Sequence, residues 1–482
     1  MMQFIPKRAT FVAGFFVFLA ATSAACAEDS FVAGADALMA ERSQAFVASF
    51  RRLAILPEGE FVEEWRAERD RWRARLRALP GYEAGSRLAE RYEAQIRYEW
   101  AIGRLLYPEF YGGYTDNPEF KPSAGYDAYL EALDLGRGDW LDLPEYAAFL
   151  VRKRNADAFS SVEIPEEALK IGVRDLAAKR LANEAFADDA VRCFLEREAL
   201  TDWIENFAAD GLTNEANEIA GACPGPQSDK LLAMVAAERA ERAGHPIKRY
   251  KSVNGTDLEL HLFRSPEETD PVPAIVWLHG GGWYSGSWSW CGACVWFKER
   301  GLAVAQVEYR IVGRHGSTIG VSYADAIDAI AWVRAHADEL GVDPDRVAAA
   351  GFSAGGHLSL AAATFEKAGS KRPDLAISIS GCTDLTNDGY TVLHAGGDEK
   401  ARALSPRYAP SAASPAMFIA NAENDDTCSF AEASDFAQAA SDAGADVTFF
   451  GVPGGGHFFL RDPERAAETK AAVFKFLDDN GF

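Results

Sequence analysis

Residues 347–358, Val-Ala-Ala-Ala-Gly-Phe-Ser-Ala-Gly-Gly-His-Leu, decide how the chain folds. Val347 to Ala350 is a short apolar run of the kind buried in a sheet, and 354–367 carries a helical pattern. Between them lies Gly351-Phe352-Ser353-Ala354-Gly355. A serine hydroxyl is a weak nucleophile, so a reactive one is held exposed beside a base. The G-x-S-x-G turn does this by forcing Ser353 into a tight strand-to-helix corner, and its glycines let neighbouring elements approach. The pentapeptide alone arises by chance; its strand–turn–helix setting gives it weight.

Upstream, His279-Gly280-Gly281-Gly282-Trp283 ends the apolar run 274–278. Glycines let backbone N–H groups turn inward, so Gly281, Gly282 and Ala354 are candidate oxyanion donors. Removal of one such donor typically costs about 3–4 kcal/mol of transition-state stabilisation. His279 reads as a structural histidine that fixes the loop. Downstream, the order serine, acid, histidine leaves His394 and His457 as bases. His457 ends a Gly454-Gly455-Gly456 loop directly after the last apolar run and is the better placed. The acid belongs between them, after a strand. Asp425 and Asp426 close the run 416–421, with Asp425 preferred and Asp384 as the fallback.

Around these motifs the chain has two textures. From about 246 onward, short β-rich runs (247–253, 258–263, 274–279, 303–309, 347–352, 375–380, 416–421 and 447–452) alternate with helical stretches at 322–340, 354–367, 429–443 and 463–479. This alternation predicts an α/β fold with a mostly parallel sheet, helices on both faces and an active site at the carboxyl ends of the strands. Residues 28–245 read as helix almost throughout, with Pro57, Pro80, Pro108, Pro144 and Pro165 at helix ends and a long loop over 107–126. This helical domain carries no catalytic motif and is a candidate cap over the site.

Residues 1–27 have the pattern of an export signal: Lys7 and Arg8, an apolar stretch over 11–21, then Ala25-Cys26-Ala27. A lipoprotein anchor at Cys26 is a minor alternative. Export makes six remaining cysteines available for disulfides. Six cysteines allow 15 pairings, among which Cys193 with Cys223 and Cys382 with Cys428 are possible pairs by local context; Cys291-Gly-Ala-Cys294 reads as a structural bridge or buried thiols. No Cys/His set has zinc spacing, so no metal is expected. The net charge of −23 disfavours a nucleic-acid partner, and no stretch has the 18 continuous apolar residues of a membrane span.

The motifs at 279–283, 307–311, 323–358, 404–410, 421–433 and 451–459 together resemble the α/β-hydrolases of the hormone-sensitive-lipase and acetyl-esterase group over about half the chain. The resemblance implies a Ser353–Asp425–His457 triad, cleavage of short acyl esters, often acetyl groups on sugars, and no cofactor. In the acid loop the family often has His-Gly and Val-Pro where this chain has Asn421-Ala422 and Cys428-Ser429. Trp283 and Tyr284, within an aromatic stretch that continues to Trp288, Trp290 and Trp296, are candidate pocket residues. A serine peptidase on the same fold is the alternative enzyme, though no propeller repeats occur and the glycine hole favours esters. A non-catalytic binding protein on a hydrolase scaffold is the other alternative, and retention of Ser353, Asp425 and His457 argues against it.

Overall fold

The computed structural model describes residues 28–115, 117, 120–160, 174–209, 211–253, 255–265, 270–366 and 371–482. The export pattern at 1–27 and Pro165 lie outside them. The chain divides into two compact units. One holds residues 28–160, 175–200 and 221–224; the other holds 201–220 and 225–482.

The first unit is helical. It contains α1 (Glu28–Leu53), α2 (Glu58–Arg77), α3 (Arg87–Tyr114), α4 (Pro144–Ser160) and α5 (Arg174–Asn183); α6 (Asp189–Phe207) runs from it into the second unit. Ser86 starts α3 by accepting the N–H of Ala89 at 3.2 Å. Ala94, Tyr98, Ala101 and Ile102 recur at helical spacing on its buried face and join Phe61, Trp65 and Phe149 in one core. Arg42 lies buried between Glu99 and Glu145, and burial pushes the Glu99 carboxyl up to about 7. The arginines of α2 pair with acids, Arg75 with Glu41 and both Arg73 and Arg77 with Glu93. Cys193 and Cys223 form a disulfide.

The expected loop over 107–126 is corrected: α3 continues through Pro108 to Tyr114, so this proline is inside a helix. A proline cannot donate to the carbonyl four residues back, here that of Arg104. Tyr126 Oη supplies the missing hydrogen bond, donating to the Arg104 carbonyl at 2.8 Å, while the Arg104 guanidinium covers the Tyr126 ring.

The second unit adds α7 (Thr213–Ala222) and α8 (Pro226–Ala243) to an eight-stranded sheet. Its strands are β1 (Ile247–Val253), β2 (Thr256–Phe263), β3 (Val272–Leu278), β4 (Ala303–Val307), β5 (Val342–Phe352), β6 (Leu375–Ile379), β7 (Ala416–Ala422) and β8 (Val447–Val452). Their order is β1-β2-β4-β3-β5-β6-β7-β8. The first two strands pair antiparallel, β2 joins β4 antiparallel, and β3 to β8 run parallel. The connecting helices are α9 (Cys294–Glu299), α10 (Val312–His315), α11 (Ile319–Ala335), α12 (Ala337–Leu340), α13 (Ala354–Thr364), α14 (Gly389–Ala395), α15 (Asp398–Ala403), α16 (Phe430–Asp442) and α17 (Pro463–Asp479). Alternate residues of β7 serve opposite layers. Met417 and Ile419 pack with Phe436 of α16, whereas Phe418 and Ala420 pack with Val473 and Phe476 of α17. A central strand covered on both faces is apolar throughout for this reason. The helix expected over 322–340 starts at Ile319 and breaks at His336 into α11 and α12. Among the described residues, no helix is long and apolar enough to cross a membrane.

Tyr126→Phe leaves the buried Arg104 carbonyl unpaired and should cost about 1–3 kcal/mol of the first unit's stability. Denaturant titration of wild type and variant checks this; equal midpoints would show that Pro108 is accommodated without Tyr126.

Candidate active site

Ser353 sits between the end of β5 and the start of α13 with φ 56° and ψ −119°. Few non-glycine residues adopt this left-handed backbone, so packing must hold it there. That packing leaves no room for a methyl group. A Cβ on Gly355 would lie 1.9 Å from the Leu278 carbonyl oxygen, and one on Gly351 would lie 2.3 Å from the Gly355 carbonyl carbon. The helix start is thus pressed against the end of β3, which pairs with β5 so that Leu278 faces Gly351.

Two loops bring chemistry to this corner. His457, after β8, places Nε2 2.9 Å from Ser353 Oγ. Its Nδ1 faces both oxygens of Asp425, after β7, at 2.9 and 3.0 Å. All three residues are buried. A carboxylate at Nδ1 fixes that nitrogen as the donor, which leaves Nε2 free to accept the serine proton. Asp425 Oδ1 also accepts the N–H groups of Thr427 and Cys428 at 2.9 and 2.8 Å. Sequence reasoning singled out these three side chains, and the structure brings them together. Asp426 points to solvent. Asp384 is occupied elsewhere, accepting from Thr386 and from Tyr408 Oη. His394 packs against Tyr390 on α14.

The glycine loop after β3 turns its amides by fixing its carbonyls. His279 Nδ1 donates to the Gly280 carbonyl at 2.7 Å. The Gly281 carbonyl accepts from the N–H groups of Tyr284 and Ser285 at 3.1 and 3.0 Å. In a trans peptide the N–H points away from the C=O of the same plane. The N–H groups of Gly281 and Gly282 therefore face away from those partners, and no acceptor among the described residues takes them. Gly281 and Gly282 both have positive φ, 113° and 61°. Ala354 is the first residue of α13, so its N–H is one of the helix's four orphan donors. Tyr390 Oη donates to the Gly282 carbonyl at 2.8 Å, an anchor no sequence motif announced. Ser380 and Asn421, which also touch the loops of this site, were likewise missed.

His279 stacks on Tyr309, and burial pushes its imidazole down to about 4. His357 is buried on α13 with Nε2 2.8 Å from the Leu404 carbonyl, and burial lowers it to about 4 as well. Neither is placed to shuttle protons. Trp283 is corrected as a pocket residue: it is only 2% exposed and its ring meets the His357 edge. Tyr284 is half-buried between Phe207 and His394. Trp288 is stacked on His261 and Trp296 belongs to the sheet core, so neither lines a pocket. Glu259, His261 and Glu308 bring donor atoms within 4.8 Å of one another on the β2–β4 face. Arg242 already compensates Glu259 at 2.6 Å, and His245 engages His261 at 2.8 Å. Disulfides join Cys291 to Cys294 and Cys382 to Cys428.

Sheet order, serine corner and triad geometry define the second unit as an α/β-hydrolase. Residues 260–439 match the family model described as BD-FAE. Carboxylesterase NlhH of Mycobacterium tuberculosis is 36% identical over 106 residues, covering 22% of this chain and 33% of that protein. The probable carboxylic ester hydrolase LipM of the same organism is 30% identical over 249 residues, 45% of this chain and 57% of that protein. Esterase 2 of Thermogutta terrifontis is 31% identical, with a TM-score of 0.47, over 50% of this chain and 96% of that one. The chain spans about a quarter to a third of the length of the first curated relatives it matches. Over its second unit, which has the α/β-hydrolase fold, the chain is similar to proteins named carboxylesterase and esterase.

Keeping His279 and His357 neutral has a pH signature. Both folded values, about 4, lie below the ordinary 6.5. The unfolded chain therefore binds protons that the folded one refuses, and stability present above about pH 6.5 is lost as pH falls toward 4. At pH 5 the loss is about 2 kcal/mol for each histidine. His357→Gln should narrow the gap between thermal midpoints at pH 7.5 and pH 5.0; an unchanged gap would remove His357 from the account.

Proposed function

We propose that the second unit hydrolyses short-chain carboxylic esters, acetyl esters on sugars among them, through Ser353, His457 and Asp425. One observation carries this reading: Ser353 Oγ, His457 and Asp425 form an unbroken chain of contacts at 2.9 Å beside the unpaired Gly281 and Gly282 amides. The names of the similar proteins, carboxylesterase and esterase, support the same reaction class.

In this mechanism Ser353 Oγ attacks the ester carbonyl carbon while His457 Nε2 takes its proton. Asp425 stabilises the imidazolium and holds its orientation. The carbonyl oxygen becomes an oxyanion, which the amides of Gly281, Gly282 and Ala354 receive. His457 returns the proton to the departing alcohol, leaving an acyl-enzyme. Water, activated by the same nitrogen, then releases the acid and regenerates Ser353. Export to an oxidising compartment fits the three cysteine pairs, which persist where thiols are not kept reduced.

A p-nitrophenyl ester series from acetate to decanoate tests the reading. Activity should peak at the short acyl chains. Ser353→Ala should lower kcat by at least about 10,000-fold, and Asp425→Asn by about 10,000-fold through the wrong tautomer. Asp426→Asn should stay within about twofold of wild type, as expected of an exposed side chain outside the contact chain. Wild type inert toward every ester would overturn the proposal.

A further inference from the structure

The corner after β6, residues 380–382, touches both loops of the acid–base pair. Ser380 has φ 50°, and its N–H bonds the Ala420 carbonyl of β7 at 2.8 Å. Its Oγ donates to the backbone carbonyl of His457 at 2.9 Å. Two residues on, Cys382 is joined by a disulfide to Cys428, whose N–H donates to Asp425 Oδ1 at 2.8 Å. Between these contacts Asn421 Nδ2 reaches the carbonyls of Gly381 and Cys428 at 3.5 and 3.3 Å. Ser380 is buried, and so is Cys428.

His457 and Asp425 hang from separate loops, so the bond between Nδ1 and the carboxylate is only as well aligned as those loops. A displacement of about 1 Å at a reacting geometry costs on the order of 100-fold in rate. We propose that Ser380 and the Cys382–Cys428 disulfide are positioning residues that clamp these two loops to one corner and hold the Asp425–His457 bond in register. Ser380 fixes the backbone of the base, and the disulfide fixes the amide that orients the acid. This inference rests on the hydrolase reading above and adds that full turnover requires the Cys382–Cys428 bond. The Cys193–Cys223 bond lies in the other unit and serves as the comparison.

The test is a double-mutant cycle in the full chain, with p-nitrophenyl acetate and thermal midpoints for every variant. Cys382→Ser with Cys428→Ser should lower kcat about 10- to 100-fold with KM changed less than about twofold. Ser380→Ala should lower kcat by about tenfold in the same manner. In an Asp425→Asn background both changes should cost less than about twofold, because the bond they align is already lost. Cys193→Ser with Cys223→Ser should leave kcat within about twofold, as expected of a site outside the cycle. Unaltered kcat in the Cys382/Cys428 variant, or an equal loss with and without Asp425, would overturn the proposal. If that variant fails to fold, the Ser380→Ala cycle decides the role of the serine, and kcat of the folded Cys193→Ser, Cys223→Ser chain before and after reduction by dithiothreitol decides that of the disulfide, unchanged kcat in the reduced chain overturning it. A wild type without ester hydrolysis would sink the hydrolase reading instead; the rate of fluorophosphonate labelling of Ser353 then reads the same cycle, since it needs only the serine and its base.

Discussion

The contact between the start of α13 and the end of β3 is the constraint on which the catalytic half depends. Gly355 lies so close to the Leu278 carbonyl that no larger residue fits, and the same closeness holds Ser353 in its left-handed backbone. The nucleophile and the glycine loop are thereby fixed by a single piece of packing, because Leu278 is the last residue of the strand that leads into that loop. The strain at Ser353 costs on the order of 1–3 kcal/mol. It is sustained by a strand buried on both faces and a helix buried along its whole length.

Everything else at the site is delivered by loops at the same end of the parallel strands. The sheet supplies spacing, with β3, β5, β6, β7 and β8 presenting their carboxyl ends in order. Loop chemistry supplies aim. His457 is steered by Asp425 at one nitrogen and by Ser380 at its carbonyl, the peptide carrying the Gly282 N–H is steered by Ser285 at the Gly281 carbonyl, and the next peptide is anchored by Tyr390 at the Gly282 carbonyl.

Much of this was legible in the sequence because local geometry and chemistry coincide there. A G-x-S-x-G turn, a triple glycine after an apolar run and a histidine after another triple glycine each have one economical reading. The central strands β3, β4, β6 and β7 were readable because burial on both faces makes a strand apolar from end to end, whereas β1 and β2 at the sheet edge mix polar and apolar residues. Pro108 was misread because a local rule, that proline ends helices, yields to a distant hydroxyl, Tyr126, brought near only by folding. Trp283 was misread because an aromatic residue beside a catalytic loop can equally well pack behind it. Ser380, Tyr390 and Asn421 have no local signature, since each acts on a backbone group far along the chain. The boundary of the hydrolase unit was hidden too, because 201–220 are helical like the residues before them yet cluster with the later part of the chain.

The reverse side of the glycine loop carries a further implication. His279 and Ser285 never face the cradle, yet the hydrogen bonds they make decide which way its two peptide planes are turned. These hidden supports therefore leave little room for substitution, because a change on the side away from Ser353 would flip an amide out of use.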